Sequence, residues 1–268
     1  MTPAPLAILR AVPDSFAGAV RSDPSLVIDV DVAREQHAAY RKALQDGGFH
    51  TVVMPSDERY PDSPFIEDPC VVLGRRALLT RPGHPDRRGE SDALAEPLAK
   101  YATVSRMSEP ATLDGGDVLR VGRTLFVGIS ERSNRSGLGA LGSFGMSAGY
   151  RVVPVKLRGV LHLKSAVTAL DDHTVLAWTA AVDADVFAGL TVVPAPGDDP
   201  HAANVVRLPD DRILTAQASD ELIMLLAYQG KAVLQVDVSE FAKADGGLTC
   251  LSLRLRDVLV DPGSTVGT

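Results

Sequence analysis

Leu113-Asp114-Gly115-Gly116-Asp117-Val118-Leu119-Arg120-Val121-Gly122-Arg123-Thr124-Leu125-Phe126-Val127-Gly128-Ile129 is the stretch from which the fold can be read. Two short apolar runs, Asp117 to Val121 and Thr124 to Ile129, meet at Gly122-Arg123, which predicts a tight hairpin. A small-residue helical pattern through Leu138, Leu141 and Phe144 follows, and then a strand from Arg151 to Leu157. The stretch therefore opens a strand–strand–helix–strand unit. Asp114 stands at its head.

The same order recurs on both sides. Upstream, Pro69 to Leu73 and Ala77 to Arg81 flank Gly74-Arg75-Arg76; Ser91 caps a helical pattern through Leu94, Leu98 and Tyr101, and Thr103 to Met107 is extended. Downstream, Ser165 to Leu170 and Thr174 to Trp178 flank Asp171-Asp172, ahead of a short helix near Ala184 to Ala188 and a strand from Thr191 to Pro194. Asn204 to Leu208 and Arg212 to Ala216 then flank Pro209-Asp210-Asp211, before helix Glu221 to Tyr228 and strand Ala232 to Val236. A fifth unit is split between the termini. Thr249 to Arg254 reads as its first strand, while Leu6 to Val12, helix Val32 to Leu44 stopped by Gly47-Gly48, and His50 to Met54 supply the rest.

Each unit opens near a polar station: Asp68, Asp114, His162, Asn204 and Cys250, at intervals of 46, 48, 42 and 46 residues. Repeats of this length predict a closed, pseudo-symmetric ring whose stations gather near the axis, with the joined termini removing the free strand edges. One domain over residues 1–268 is expected. Pro13 to Asp31, rich in Pro, Ser, Asp and Gly, lies outside the repeats and is either a plain connection or a flap over the site.

With 268 residues, 45% of them hydrophobic, the chain can bury a substantial core. A net charge of −7 without a basic stripe argues against a general nucleic-acid or anionic-membrane binder. No apolar run approaches the roughly 20 residues that span a bilayer. Met1 to Leu9 shows no secretory pattern, and two cysteines, Cys70 and Cys250, make no disulfide framework, so a cytoplasmic location is expected. Gly137-Leu138-Gly139-Ala140-Leu141-Gly142 matches a dinucleotide fingerprint in letters only. Glu131 to Ser136 separate it from the preceding strand and no acid ends the next one, so its glycines are assigned to close helix packing.

Two stations carry nucleophilic chemistry. Cys250 follows Gly246-Gly247-Leu248-Thr249, where glycines let backbone approach a ligand and leave the sulfur at a strand edge. His162 can hold a thiol as thiolate and pass protons at neutral pH. Asp114 can orient the imidazole, while Asp117 reads as a turn residue. Glu67 and Asp68 add carboxylates that disfavour an anionic substrate and suit a cation, above all a planar guanidinium. No His, Cys and Asp spacing resembles a metal site, and neither metal nor cofactor is expected.

Phe65-Ile66-Glu67-Asp68, Leu113-Asp114-Gly115-Gly116-Asp117-Val118, Ser130-Glu131-Arg132-Ser133-Asn134, His162-Leu163-Lys164-Ser165 and Leu248-Thr249-Cys250 together resemble the dimethylarginine dimethylaminohydrolase family of guanidine-modifying enzymes. The resemblance runs from about Leu9 to Arg254. It implies a five-bladed α/β-propeller of ββαβ units (the pentein fold). It also implies hydrolysis of Nω-methylated arginine to citrulline and a methylamine through a covalent thiouronium on Cys250. His162 would be the acid and base, Asp114 its support, and Glu67 and Asp68 the acids around the guanidinium. Arg87 and Arg132 match the arginines that bind the α-carboxylate, Asp62 the acid on the α-amino side, and Phe16 and Ala244 the backbone contacts. Phe16 stands where the family pattern has leucine. The expected partner is a small-molecule guanidine, with no nucleic acid and no membrane, and a homodimer is allowed for.

An arginine or agmatine deiminase of the same superfamily is the nearest alternative, but such enzymes carry an acid two residues after the histidine where this chain has Lys164. A non-catalytic ribosome-binding propeller is the other, and it has no need for a thiol, imidazole and acids at matching stations. If the cationic guanidinium promotes thiolate formation, the free thiol is expected to be ordinary.

Overall fold

A computed structural model describes residues 3–216 and 218–261 of the chain. Met1 and Thr2 and residues 262–268, which the expected domain and the reading of the N-terminal stretch include, lie outside the described residues. The described strands and helices, in chain order, are β1 (Ala4–Arg10), α1 (Val30–Asp46), β2 (His50–Met54), β3 (Cys70–Leu73), β4 (Arg76–Leu79), α2 (Ala95–Ala99) and β5 (Thr103–Arg106). They continue with β6 (Val118–Val121), β7 (Thr124–Ile129), α3 (Arg135–Ser147), β8 (Arg151–Lys156), α4 (Leu163–Ala166), β9 (Val167–Ala169), β10 (Thr174–Ala177) and β11 (Thr191–Pro194). Then come β12 (Val206–Arg207), β13 (Ile213–Thr215), α5 (Asp220–Tyr228), β14 (Val233–Gln235), α6 (Ser239–Ala242) and β15 (Leu253–Val260).

These strands form five three-stranded sheets: β3-β4-β5, β6-β7-β8, β9-β10-β11, β12-β13-β14 and β15-β1-β2. In every sheet the first pair is antiparallel and the second parallel. The antiparallel pair needs only a tight turn, and Gly74 (φ 61°) and Gly122 (φ 52°) supply the positive φ for two of them. The parallel return needs a crossover, which is where the helices lie. The fifth sheet pairs Leu6 with Leu255 and Ala7 with Arg254 across β1 and β15, so the two ends of the chain close the ring. This is the five-bladed α/β-propeller.

The apolar core is divided accordingly. Five buried clusters sit one at each junction between neighbouring blades: Leu73 and Leu78 meet Val118 and Val127, Phe126 meets Val167 and Phe187, and Leu176 meets Val205 and Ile213. Leu214 meets Leu9 and Tyr40 from the far end of the sequence, and Leu6 and Ile8 meet Ile66, Cys70 and Leu255. The middle strand of each blade is covered on both faces, which explains runs such as Leu125 to Gly128 that are apolar or small without alternation. Among the described residues no helix is long and apolar enough to cross a membrane.

The first strands β3, β6, β9, β12 and β15 all line one axial channel of about 180 Å³. Each station lies just before one of them, so all five stations come to the same end of that channel.

Some local expectations are corrected. Thr249 to Arg254 is not one strand: Leu248–Leu251 is a 3-10 turn, and β15 starts at Leu253, so Cys250 sits in a turn and not at a strand edge. Asp29 caps α1 by accepting from Asp31 N and Val32 N, which starts that helix before Val32. Ser91 caps nothing; its hydroxyl donates to the Thr80 carbonyl, and only Ala95–Ala99 is α-helical there. Of the fingerprint glycines, Gly137 does allow close packing, since a Cβ would fall 1.9 Å from the Thr112 carbonyl oxygen. Gly139 and Gly142 face open space.

Leu255, 1% exposed in the closing strand, tests the importance of closure. Leu255→Ala should lower the unfolding free energy by about 2–5 kcal/mol, seen as a lower urea midpoint at unchanged slope.

Candidate active site

The histidine station is a single helical turn, α4, preceded by His162 in extended conformation. Asp117, fully buried, accepts from Leu163 N at 3.1 Å and from the Ser133 hydroxyl at 2.6 Å, and so fixes the start of that turn. His162 Nε2 lies 2.9 Å from Asp114 Oδ2, and Asp114 Oδ1 accepts from Gly83 N at 2.8 Å. With Nε2 held by the acid, Nδ1 is the nitrogen left for proton transfer. It passes close over Gly116, where a Cβ would stand 2.9 Å from it. Any larger residue at Gly116 would displace the ring.

The cysteine station is held from several sides. Arg254 Nη1 donates to the Thr249 carbonyl at 3.0 Å, and the Tyr40 hydroxyl donates to the Leu248 carbonyl at 2.8 Å. Gly247 N approaches Cys250 Sγ at 3.5 Å. Gly246 is pressed against Phe65, so a Cβ would lie 2.2 Å from that ring. Cys250 is half-buried, whereas Cys70 is buried in the apolar wedge beside β3.

A cavity of about 30 Å³ joins Cys250 and His162 with Asp62, Asp68, Arg87, Arg132 and Ala244, together with Val20, Phe65, Leu161, Asp245 and Gly246. Six stretches distant in sequence thus converge. Three of the expected residues do not line it: Asp114 stands behind His162, and two others lie elsewhere. Phe16 is fully buried under the cavity, ring to ring with Phe65 at 5.8 Å and Phe241 at 5.2 Å, and its carbonyl accepts from Ala19 N. It anchors the 13–31 segment, and Val20 is the residue of that segment that reaches the cavity. Glu67 faces the axial channel: its Oε1 pairs with Lys164 Nζ at 2.6 Å and Arg254 Nη2 at 2.7 Å. It stands behind the cysteine turn, with its backbone N–H donating to the Cys250 carbonyl at 3.2 Å.

The two arginines differ. Arg87 is buried and committed: it forms a two-pronged pair with Glu90 at 2.9 and 2.8 Å, reaches Asp68 Oδ2 at 2.7 Å, and donates to the Phe65 carbonyl at 3.1 Å. The side chain of Arg132 makes no hydrogen bond or ion pair among the described residues, although its backbone N–H is held by Ser130 Oγ. The open cation in the cavity is therefore Arg132.

Charge balance sets the protonation states. Burial works against a charged His162, yet Asp68 and then Asp114 and Asp117 outweigh it and raise its pKa from 6.5 to about 9. Burial, then the carboxylates of Asp68 and Glu67, push the Cys250 thiol from 9.0 up to about 12. Burial disfavours ionised Asp68, but His162 and Arg87 hold it down at about 2. The resting pair is thus a thiol beside an imidazolium. The raised thiol carries no resting activation. Asp68, Asp114 and His162 bring potential ligand atoms within 4.8 Å of one another. Those atoms already face Arg87, Gly83, Gly116 and one another, so the cluster is an acid–imidazole network stabilised by its own cations.

Sequence reasoning missed Glu90 and gave Asp117 too small a part. Arg87 and Glu90 have the i, i+3 spacing of a local ion pair, and that was the available signal for Glu90. Nothing in the sequence distinguishes Asp117 from a turn residue; its value lies in contacts made 13 to 46 positions away.

Comparison with known proteins agrees with this geometry. The family described as N,N dimethylarginine dimethylhydrolase, eukaryotic, matches residues 12–185. The N(G),N(G)-dimethylarginine dimethylaminohydrolase of Streptomyces coelicolor is 41% identical, over 86% of this chain and 89% of its own. That of Pseudomonas aeruginosa is 34% identical, over 84% and 89%. A solved structure of the Pseudomonas aeruginosa enzyme, a Cys-to-Ser mutant complexed with citrulline, superposes with a TM-score of 0.88 at 31% identity, covering 94% of this chain and 99% of that one.

Because the folded-state pKa of His162, about 9, lies above its usual 6.5, imidazolium formation stabilises the fold. That contribution is complete below 6.5 and disappears as pH rises through about 9. The stability difference between the wild type and His162→Asn should narrow across this window when unfolding is followed at several pH values. A gap independent of pH would contradict the charge assignment.

Proposed function

The chain belongs to the dimethylarginine dimethylaminohydrolase family, and we propose that its cavity hydrolyses Nω-methylated arginine to citrulline and dimethylamine or methylamine. The observation that carries this reading is the meeting of Cys250, His162 and Asp68 in one cavity with the unpaired cation of Arg132. The acids provide for a guanidinium, and Arg132 provides for a carboxylate at the other end of the same molecule.

The bound guanidinium adds positive charge beside Cys250 and offsets the carboxylates that keep its thiol protonated. The thiol proton leaves to solvent, and the thiolate attacks the guanidinium carbon to form a C–S bond and a tetrahedral adduct. His162, already an imidazolium, gives a proton from Nδ1 to the methylated nitrogen, whose C–N bond then breaks. A thiouronium remains on Cys250. Neutral His162 next takes a proton from water, the resulting hydroxide adds to the same carbon, and the C–S bond breaks to release citrulline after loss of the remaining proton. Asp114 stabilises the imidazolium each time it forms. Asp62 takes the α-amino group, Ala244 contributes its backbone, and Asp68, kept ionised by Arg87, faces the guanidinium. Phe16 acts by anchoring the flap, Glu67 through the back of the cysteine turn, and Arg87 chiefly by holding Asp68.

Lys164 speaks against a deiminase-type site, because a paired cation occupies the position where those enzymes carry a carboxylate. Residues 13–31 are proposed to form a flap on a single catalytic domain. Val20 of this segment lines the cavity together with Asp62 and Cys250, so substrate entry is proposed to move it. The segment is tied down by Ser22 to Asp245 at 2.7 Å, Val20 N to Asp62 at 3.1 Å, Asp14 N and Ser15 N to Glu58 at 3.1 and 2.9 Å, Asp29 N to Glu240 at 2.8 Å and Lys243 Nζ to the Val27 carbonyl at 2.9 Å, bonds that its lifting would have to break. Both cysteines are free thiols, which supports a reducing cytoplasm, and the −7 charge supports a small-molecule partner rather than nucleic acid.

Purified enzyme should release dimethylamine from asymmetric dimethylarginine faster than ammonia from arginine or agmatine; dominant ammonia release would reverse the assignment. Cys250→Ser should form no citrulline, and retention of activity would remove the nucleophile from this account. Arg132→Met should raise KM about 10- to 100-fold, more than it lowers kcat, matching loss of a charge-assisted bond of roughly 1.5–3 kcal/mol.

A further inference from the structure

Of the five stations, Asn204 is the one to which the proposed chemistry gives no part. It lies 4% exposed at the head of β12, at the same end of the channel as the other four. Its side-chain amide is fully used. Nδ2 donates to the Lys164 carbonyl at 2.7 Å and to Thr249 Oγ1 at 3.1 Å, and Oδ1 accepts from Thr249 N at 3.2 Å.

Those partners belong to the two reactive turns. Lys164 is in α4, whose four residues leave most of its carbonyls without partners inside the helix. Thr249 is the second residue of the 3-10 turn Leu248–Leu251 that carries Cys250, and its N–H is one of the donors at the start of that turn without a partner inside it. One amide therefore caps the carbonyl side of the histidine turn and the N–H side of the cysteine turn. Asn or Gln alone among side chains joins a fixed donor end to a fixed acceptor end in this way. Asp has no donor for the Lys164 carbonyl, and Gln is longer by a methylene.

Asn204 is itself held firmly. The Thr168 hydroxyl donates to the Ala203 carbonyl at 2.6 Å and accepts from Val205 N at 3.4 Å, gripping the chain on both sides of the asparagine. Gly247 leaves room for the amide: a Cβ there would fall 2.6 Å from Asn204 Oδ1. Blade-to-blade packing sets the approximate separation of the two turns, and the amide fixes their register.

We infer that Asn204 is a positioning residue that sets the Cys250 turn against the His162 turn by hydrogen bonding to both. This rests on the assignment of Cys250 as nucleophile and His162 as its acid and base. The amide touches neither sulfur nor imidazole, so its effect falls on the chemical step and not on substrate binding.

Asn204→Ala should lower kcat about 10- to 100-fold, the scale of a displacement near 1 Å, with KM changed by less than about threefold. Thr249→Val should lose part of the same kcat, and Thr249→Ser, which keeps the hydroxyl, should recover most of what Thr249→Val loses. The double variant Asn204→Ala/Thr249→Val should be no slower than Asn204→Ala alone, since both act through one contact. A wild-type kcat in Asn204→Ala, or additive losses in the double variant, would overturn the inference. If thermal melts show Asn204→Ala unfolded, the Thr249 pair decides: equal kcat in Val and Ser variants defeats the idea. An active Cys250→Ser would instead defeat the underlying assignment, and an inactive one leaves the Asn204 result to be judged by itself.

Discussion

β15 lies antiparallel to β1, and on that one strand pair the geometry of the site depends. The turn carrying Cys250 ends at Leu251, two residues before the pairing strand begins. Leu255 and Leu253 of β15 and Leu6 and Ile8 of β1 pack together with Ile66 and Cys70 of the neighbouring blade. A cysteine near the C-terminus is thereby set beside carboxylates near residue 68. Because the core is five separate wedges and not one mass, each junction must be filled for the ring to keep its circumference. Closure also leaves the inner strands at one radius, and this is what turns five loops into one cavity.

The cavity's electrostatics follow from how many acids it gathers and how few cations neutralise them from within. Asp62, Asp68, Asp114 and Asp117 are all buried near His162, and Glu67 lies behind Cys250. His162 and Arg87, the latter held by Glu90, keep Asp68 ionised, while Lys164 and Arg254 compensate Glu67 from the channel side. What remains is an excess of buried acid around Cys250, which together with burial raises its thiol. In the proposed mechanism a guanidinium adds positive charge there as it binds, so that substrate recognition and nucleophile activation are a single event. In the proposed reading Arg132, whose side chain makes no hydrogen bond or ion pair among the described residues, orients such a ligand through its carboxylate.

Much of this was legible in the residues. Five recurrences of paired apolar runs around a turn gave the number of blades, and the spacing of Asp68, Asp114, His162, Asn204 and Cys250 gave the stations. Element edges were less legible where short turns intervene. Leu248–Leu251 passes for strand because its side chains are apolar and small, yet its backbone closes a 3-10 turn. Ser91 looks like a cap until the Thr80 carbonyl claims its hydroxyl. Phe16, Glu67 and Arg87 were named through resemblance; Glu90, three positions on, helps to aim Arg87, but Glu67 and Phe16 take their directions from Arg254 and Phe241, 187 and 225 positions away, which no local pattern records.

The sequence by itself determined the repeat, and with it the closed five-bladed ring, because hydrophobic period and turn chemistry are local properties that each unit carries independently. It also determined the reactive groups, since a thiol, an imidazole and clustered carboxylates have their chemistry wherever they stand. Only the tertiary structure decided which arginine is locked into ion pairs and which has none among the described residues, which acid lines the cavity and which the channel, and that one asparagine joins two turns. Those outcomes rest on distances of about 3 Å between groups far apart in the chain, and such distances exist only once the ring has closed.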